Sequence, residues 1–262
     1  MARAQINGQD LFYEDSGGDG EAVILSHGFL MDHEMFAPQV EALTDAGYRV
    51  ITWDERGFGD TDFDGEPFTY WDSANDCIAL LDHLQIDRAV LGGMSQGGFL
   101  SLRAALTAPE RVRALVLLDT QAGAEDPEVR EVYRQMTDTW VQEGPIDDLT
   151  GAVAQIIIAD PDHNETWIAK WRARDPQLMV EPSRCLLDRD DVTDRLGEIT
   201  CPAIVIHGTE DTAITMDKAE ALAAGLPGAD EVVAVPGAHA ANLTDPDPVN
   251  AAILSFLAGL DR

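Results

Sequence analysis

An α/β fold built on a mostly parallel, doubly wound sheet, with a block of helices inserted into it, is predicted by three observations. Short continuous apolar runs recur along the chain, amphipathic stretches separate them, and the alternation stops between about 120 and 196 before resuming. Strands covered on both faces read as unbroken apolar runs, and strands feeding helices in alternation make parallel βαβ units.

The first six residues lack the apolar core of a signal peptide and pass straight into strand-like sequence. Residues 11–15 read as an early antiparallel strand, closed by the turn Gly17-Gly18-Asp19-Gly20. Ala22-Val23-Ile24-Leu25-Ser26 is the first buried strand, and similar runs follow at 48–53, 89–91, 114–118, 203–206 and 232–235. Amphipathic patterns near 34–46, 70–84, 96–108, 215–224 and 247–259 predict the intervening helices. Between 120 and 196 the apolar spacing is helical at 129–142, 149–158 and 166–174, punctuated by Pro127, Pro145, Pro161, Pro176 and Pro182. The expected division is therefore a core of residues 1–119 and 197–262, with 120–196 as a helical insertion. An insertion following a strand of an open sheet emerges at the carboxyl edge, above the crevice where such sheets bind ligands.

The most informative stretch is Gly93-Met94-Ser95-Gln96-Gly97, placed directly after one apolar run and before a helical pattern. A strand turning sharply into a helix holds the residue at the bend in a strained conformation, with its side chain exposed above the sheet edge. The helix N-terminus adds free N–H groups and the positive end of its dipole at that point. A serine there is a candidate nucleophile; without that setting it would be an idle residue in a glycine-rich turn.

Four further segments accompany the elbow: His27-Gly28-Phe29, Asp54-Glu55-Arg56-Gly57-Phe58-Gly59, His207-Gly208-Thr209-Glu210-Asp211 and Gly237-Ala238-His239. With them the chain resembles, over almost its whole length, the α/β-hydrolase family, in particular its small cap-bearing esterase and lactonase-like members. The resemblance implies a helical cap over residues 120–196 and a triad in the order nucleophile, acid, histidine. Ser95 matches the nucleophile. His239, in the short loop before the final helix, matches the base that a weakly nucleophilic hydroxyl needs. His27 and His207 each precede a glycine at a strand end, where a histidine serves as a hydrogen-bond anchor. Asp211 matches the acid that holds the imidazole tautomer, and Asp119 competes for that role because some members carry their acid after the preceding strand. The alternative use of Asp119 is to cap the start of the insertion. The backbone N–H groups of Phe29 and Gln96 match the oxyanion donors. Leu30, Met94, Trp140 and Trp167 are candidates for an apolar substrate wall, with core packing as the competing use of each. Trp167 and Trp171 are four apart and share a helical face. Arg172, Arg174 and Arg184 are candidate carboxylate receivers or, more simply, solvated cations.

The implied activity is hydrolysis of a small or medium carboxylic ester or lactone through an acyl-enzyme on Ser95. Peracid formation of the cofactor-free haloperoxidase type uses the same triad, but that group carries proline where Leu30 stands. Enol-lactone hydrolysis also fits, whereas aspartate-nucleophile chemistry does not, since the elbow holds serine. The competing class is a ligand-binding protein that retains the fold without catalysis. No cofactor and no metal are expected: a phosphate-cradling Gly-x-Gly-x-x-Gly is absent, and Asp160-Pro161-Asp162-His163 lacks helical metal-ligand spacing.

Composition narrows the partners. The 262 residues include 17 basic and 48 acidic side chains, for a net charge of −31. Such a surface repels phosphate backbones and anionic bilayers, which argues against nucleic acid and membrane partners. Three widely spaced cysteines, Cys77, Cys185 and Cys201, suit neither a disulfide framework nor a zinc site and fit the reduced thiols of a cytoplasmic protein. The same charge makes stability salt-dependent, because the Debye length shortens from about 30 Å at 0.01 M salt to about 3 Å at 1 M. Melting temperature is expected to rise with added sodium or potassium chloride. A screening gain is largely complete below about 1 M, and continued gain in multimolar salt would mark a salt-adapted protein. A flat or falling curve would show that the acidic excess is dispersed well enough not to limit stability.

Overall fold

The computed structural model describes residues 2–260. Its strands are β1 (Ala2–Ile6), β2 (Gln9–Asp15), β3 (Ala22–Ser26), β4 (Arg49–Trp53), β5 (Ala89–Met94), β6 (Val112–Leu118), β7 (Ala203–Gly208) and β8 (Val233–Val235). They form one sheet in the order β1-β2-β4-β3-β5-β6-β7-β8, antiparallel at β1, β2 and β4 and parallel from β4 onward. The β1–β2 hairpin turns at Asn7 and Gly8, both with positive φ (48° and 85°), the conformation that a tight two-residue hairpin requires and that Asn-Gly supplies.

Alternation along the strands places successive side chains in two separate cores. In β3, Ala22 and Ile24 face one side while Val23 and Leu25 face the other; in β6, Leu115 and Leu117 oppose Ala114, Val116 and Leu118. Helices α2 (Tyr70–His83), α3 (Gln96–Thr107) and α8 (Met216–Gly225) cover the first face. The second is covered by α1 (Ala37–Asp45), the single turn α9 (Ala241–Thr244) and α10 (Pro246–Leu260), joined at its upper edge by inserted helices. Burying each Leu, Ile or Val of these strands is worth about 1.5–3 kcal/mol, so the doubly covered sheet is the rigid part of the molecule.

Between β6 and β7 the chain forms α4 (Pro127–Glu143), α5 (Asp147–Ile157), α6 (Pro161–Ala173) and α7 (Val180–Leu187), with short 3-10 turns after α6 and α7. Helix α6 starts five residues before the apolar spacing indicated, because the Asp160 side chain accepts from the N–H groups of Asp162 and His163 and Pro161 occupies the first helical position. Helix α7 was not foreseen; Pro182 falls in its first turn, where a missing N–H costs nothing.

Buried arginines tie this segment to the sheet. Arg103 on α3, 1% exposed, donates to the Asp190 carboxylate and carbonyl at 2.7 Å each. Arg189 reaches back to the start of the segment, donating to the Gly123 carbonyl and the Glu125 carboxylate, while the Val192 N–H bonds the Ala122 carbonyl. Entry and exit are thus clamped together above β6. Cys77 and Cys185 are buried, Cys201 is half-buried, and all three are free thiols. Among the described residues no helix is long and apolar enough to cross a membrane.

Candidate active site

Ser95 stands at the end of β5 with φ 52° and ψ −112°, outside the regions an L-residue normally occupies. Holding such a residue costs of the order of 1–3 kcal/mol, so its surroundings must over-determine it. A Cβ on Gly93 would overlap the backbone of Gly97, one on Gly97 the Ser26 carbonyl, and one on Gly98 the Thr120 side chain. Only hydrogen at these positions lets β5, β3 and α3 meet so closely. The Ser95 N–H then bonds the Leu118 carbonyl at 2.9 Å, and the Thr120 hydroxyl donates to the Ser95 carbonyl at 2.7 Å.

His239 arrives from the loop after β8. The loop lies against β7 closely enough that a Cβ on Gly208 would overlap the carbonyls of Gly237 and Ala238, and the Glu210 N–H bonds the Gly237 carbonyl. This places His239 Nδ1 2.8 Å from Asp211 Oδ2. A carboxylate only accepts, so Nδ1 carries a proton, and in the neutral imidazole Nε2 is the nitrogen with the lone pair. The other Asp211 oxygen accepts from the N–H groups of Ala213 and Ile214 at 2.8 and 3.0 Å. Burial alone pushes this carboxyl up, but His239, the Ile214 N–H and His207 outweigh it and hold the group below the ordinary carboxylate range.

Asp119 takes neither position considered for it. It ends β6 with φ 45°, and its Oδ1 accepts from the Gly208 N–H at 2.7 Å, stapling β6 to β7. Burial first, and the Asp211 carboxylate second, push its carboxyl well above the ordinary range, the opposite direction from Asp211. His207 lies between the two; its Nε2–H donates to the Ile214 carbonyl at 2.8 Å and burial lowers its basicity. Asp119, His207 and Asp211 also bring three possible metal-ligand atoms within 4.8 Å of one another. Both Asp211 oxygens and His207 Nε2 are committed to hydrogen bonds, whereas His207 Nδ1, 3.7 Å from Asp119 Oδ1, is buried without a hydrogen-bond partner.

Ser95 and His239 share one cavity of about 110 Å³. Phe29, Leu30 and Met94 line it from the sheet side, and Tyr133, Met136 and Trp140 from α4, with Val153 and Ile156 from α5. Trp167 lies elsewhere: with Trp171, Lys170 and Arg174 it lines a smaller neighbouring cavity beyond Leu30, Trp140 and Met179. The indole N–H of Trp171 bonds the Leu30 carbonyl at 2.7 Å, so that helical face braces the loop after β3. Arg172 pairs with Asp147, Arg174 donates to the carbonyls of Gly57 and Gly59, and Arg184 pairs with Glu181. None of the three lines the Ser95 cavity. Glu125 and Tyr133 escaped the sequence reading: Glu125 supplies a carboxylate to the wall, and burial pushes the Tyr133 phenol up to about 12.

Of the two expected oxyanion residues, Phe29 lines the Ser95 cavity and Gln96 follows Ser95 directly at the start of α3. Gly28 O accepts from the Met31 N–H at 3.0 Å and lies 2.8 Å from His27 Nδ1, which fixes the plane of the Gly28–Phe29 peptide. Gln96, the first residue of α3, is 1% exposed, and its side chain bonds Glu55 and Tyr70.

The opposite states of the two buried acids make a stability prediction. A carboxyl whose folded-state pKa is raised contributes stability that is complete below the unfolded value near 3.9 and is lost as pH rises toward the folded value. Asp119→Asn keeps an acceptor for the Gly208 N–H and removes that titration. The variant is therefore expected to gain stability relative to wild type as pH increases from 5 to 8, read by denaturant unfolding at each pH. A difference that does not change over this range would show that Asp119 is ionised in the folded protein.

Residues 21–155 match the family model described as the alpha/beta hydrolase fold. The chain is 30% identical to a Rhizobium rhizogenes protein named "Putative carbamate hydrolase RutD", over 91% of this chain and 93% of that relative. Among solved structures, a thermophilic esterase from Thermogutta terrifontis is similar with a TM-score of 0.90 and 29% identity, covering 99% of each chain. The enol-lactonase from Burkholderia xenovorans LB400 has a TM-score of 0.90 and 27% identity, covering 98% of this chain and 99% of its own. With the strand order, the serine elbow and the matched sequence agreeing, the chain belongs to the α/β-hydrolase family and is a hydrolase.

Proposed function

We propose that the protein hydrolyses a small or medium carboxylic ester or lactone by nucleophilic catalysis at Ser95. The observation that carries this reading is the 2.8 Å bond from His239 Nδ1 to Asp211, which leaves Nε2 as the available base in the cavity that Ser95 also lines. Ser95 Oγ attacks the carbonyl carbon while His239 Nε2 takes its proton. The charge that develops on the carbonyl oxygen falls to the N–H groups of Phe29 and Gln96. Collapse breaks the carbon–oxygen bond to the leaving group, which takes the proton from His239, and an acyl group remains on Ser95. Water then attacks that ester with the same base, releasing the acid and restoring the serine. Asp211 stays ionised throughout and steadies the imidazolium.

Residues 120–196 act in this scheme as a cap whose α4 and α5 side chains set acyl specificity. The apolar wall favours an uncharged acyl group, as burying a carboxylate there would be costly. The esterase and lactonase names of the two similar structures agree with acyl transfer to water, and a carbamate, the substrate class in the Rhizobium relative's name, differs only in the acyl group presented. Peracid formation is disfavoured by Leu30: its φ of 64° is closed to the proline expected there in such enzymes.

Ser95→Ala is expected to abolish turnover of p-nitrophenyl esters with the fold intact, and His239→Ala to cost nearly as much, because such residues act as a unit. Asp211→Asn is expected to lower kcat by about 10³–10⁴ through the wrong imidazole tautomer. Labelling of Ser95 by a fluorophosphonate separates an enzyme from a ligand-binding protein on the same fold. Near wild-type hydrolysis by Ser95→Ala would end the scheme, and a large loss in Asp119→Asn would move the acid to β6.

A further inference from the structure

Glu55 has no place in the scheme above, yet it is 1% exposed and sits where the supports of both proposed oxyanion donors meet. Its Oε1 accepts from the Gln96 side-chain amide at 3.2 Å, and the Tyr70 hydroxyl donates to the other end of that amide, Gln96 Oε1, also at 3.2 Å. Gln96 opens α3, and clamping its side chain from two sides limits how its backbone can turn. Glu55 reaches the second donor through its own backbone. Its N–H bonds His27 Nε2 at 3.0 Å, which makes Nε2 the bare nitrogen and Nδ1 the protonated one. Nδ1–H then donates to the Gly28 carbonyl at 2.8 Å. That carbonyl and the Phe29 N–H belong to one planar trans peptide and point in opposite directions, so pulling the oxygen toward His27 and Met31 turns the Phe29 N–H the other way.

We propose that Glu55 is a positioning residue that holds the backbone N–H groups of Gln96 and Phe29 in register with each other. The proposal rests on the acyl-transfer reading of Ser95, since only there does the alignment of these two groups affect the rate. Burial, with the nearby Asp76 and Asp54 carboxylates, pushes the Glu55 carboxyl well above the ordinary range despite the Gln96 bond. The Gln96 amide needs only an acceptor oxygen here, which an uncharged side chain supplies without a buried charge, so glutamine can replace Glu55.

The test compares wild type, Glu55→Gln, Glu55→Ala, Gln96→Met and the Glu55→Ala/Gln96→Met pair, using p-nitrophenyl acetate turnover and the rate of Ser95 labelling by a fluorophosphonate. Losing one oxyanion donor costs about 10²–10³ in kcat, so loosening one is expected to cost about 10–100-fold in Glu55→Ala, with KM changed less than about twofold. Labelling should slow in parallel. Glu55→Gln keeps the acceptor and should stay within about threefold of wild type, and the pair should be no worse than either single change, because both cut the same link. Gln96→Met approaches that link from its other end and carries the test if Glu55→Ala fails to fold. Wild-type kcat in Glu55→Ala or Gln96→Met, a loss confined to KM, or Glu55→Gln as slow as Glu55→Ala would each overturn the proposal. A wild-type protein that neither turns over ester nor labels at Ser95 would instead overturn the acyl-transfer reading, and this role with it.

Discussion

The strained backbone at Ser95 is the constraint on which the rest of the molecule is arranged. A residue at φ 52° and ψ −112° relaxes unless neighbours on every side forbid it. Here they do. Gly97 lies against the β3 backbone, Gly98 against Thr120, and Gly93 under the first turn of α3, so β3, β5 and the end of β6 converge on one bend. The Leu118 carbonyl and the Thr120 hydroxyl then take both backbone polar groups of Ser95. Such a junction holds only because each face of the sheet is packed with its own apolar core, which turns many small burial energies into resistance at one point.

The same edge of the sheet sorts buried carboxyl groups by what surrounds them. Asp211 receives three hydrogen-bond donors and its carboxyl is pushed down; Asp119, a short distance away with one N–H donor and an anion for a neighbour, is pushed up. Two carboxylates in one low-dielectric site repel, so charging one favours the proton on the other. Of the two carboxyl groups nearest His207, Asp211 is thus the one favoured to carry charge against His239.

In the proposed scheme, specificity belongs to a different layer from chemistry. The proposed triad and oxyanion donors stand on loops held by the sheet, whereas much of the cavity wall comes from α4 and α5. Arg103 and Arg189 anchor that inserted layer at its base and leave its apolar inner surface to face Ser95.

Local physics made much of this legible in the chain itself. Doubly buried strands cannot avoid reading as apolar runs and a strand-to-helix bend at van der Waals contact cannot avoid glycines, whereas the expected order Ser95, Asp211, His239 comes from the resemblance to the α/β-hydrolase family. Periodicity stops short of partners. It marks the face of α6 bearing Trp167 and Trp171 as apolar, but only packing decides that this face braces the loop at Leu30 while Trp140 on α4 takes the wall of the Ser95 cavity. Asp119 carries no local mark of being the neutral acid, because its state depends on Asp211, 92 positions later, and on the Gly208 N–H between them in sequence. Glu55 reads as one residue of a turn motif until folding brings His27 and Gln96 to either side of it. The sequence by itself determined the elements and the chemistry available at their ends; burial and long-range hydrogen bonds, which exist only once the sheet has closed, decided which groups hold charge, which support others and which face the cavity.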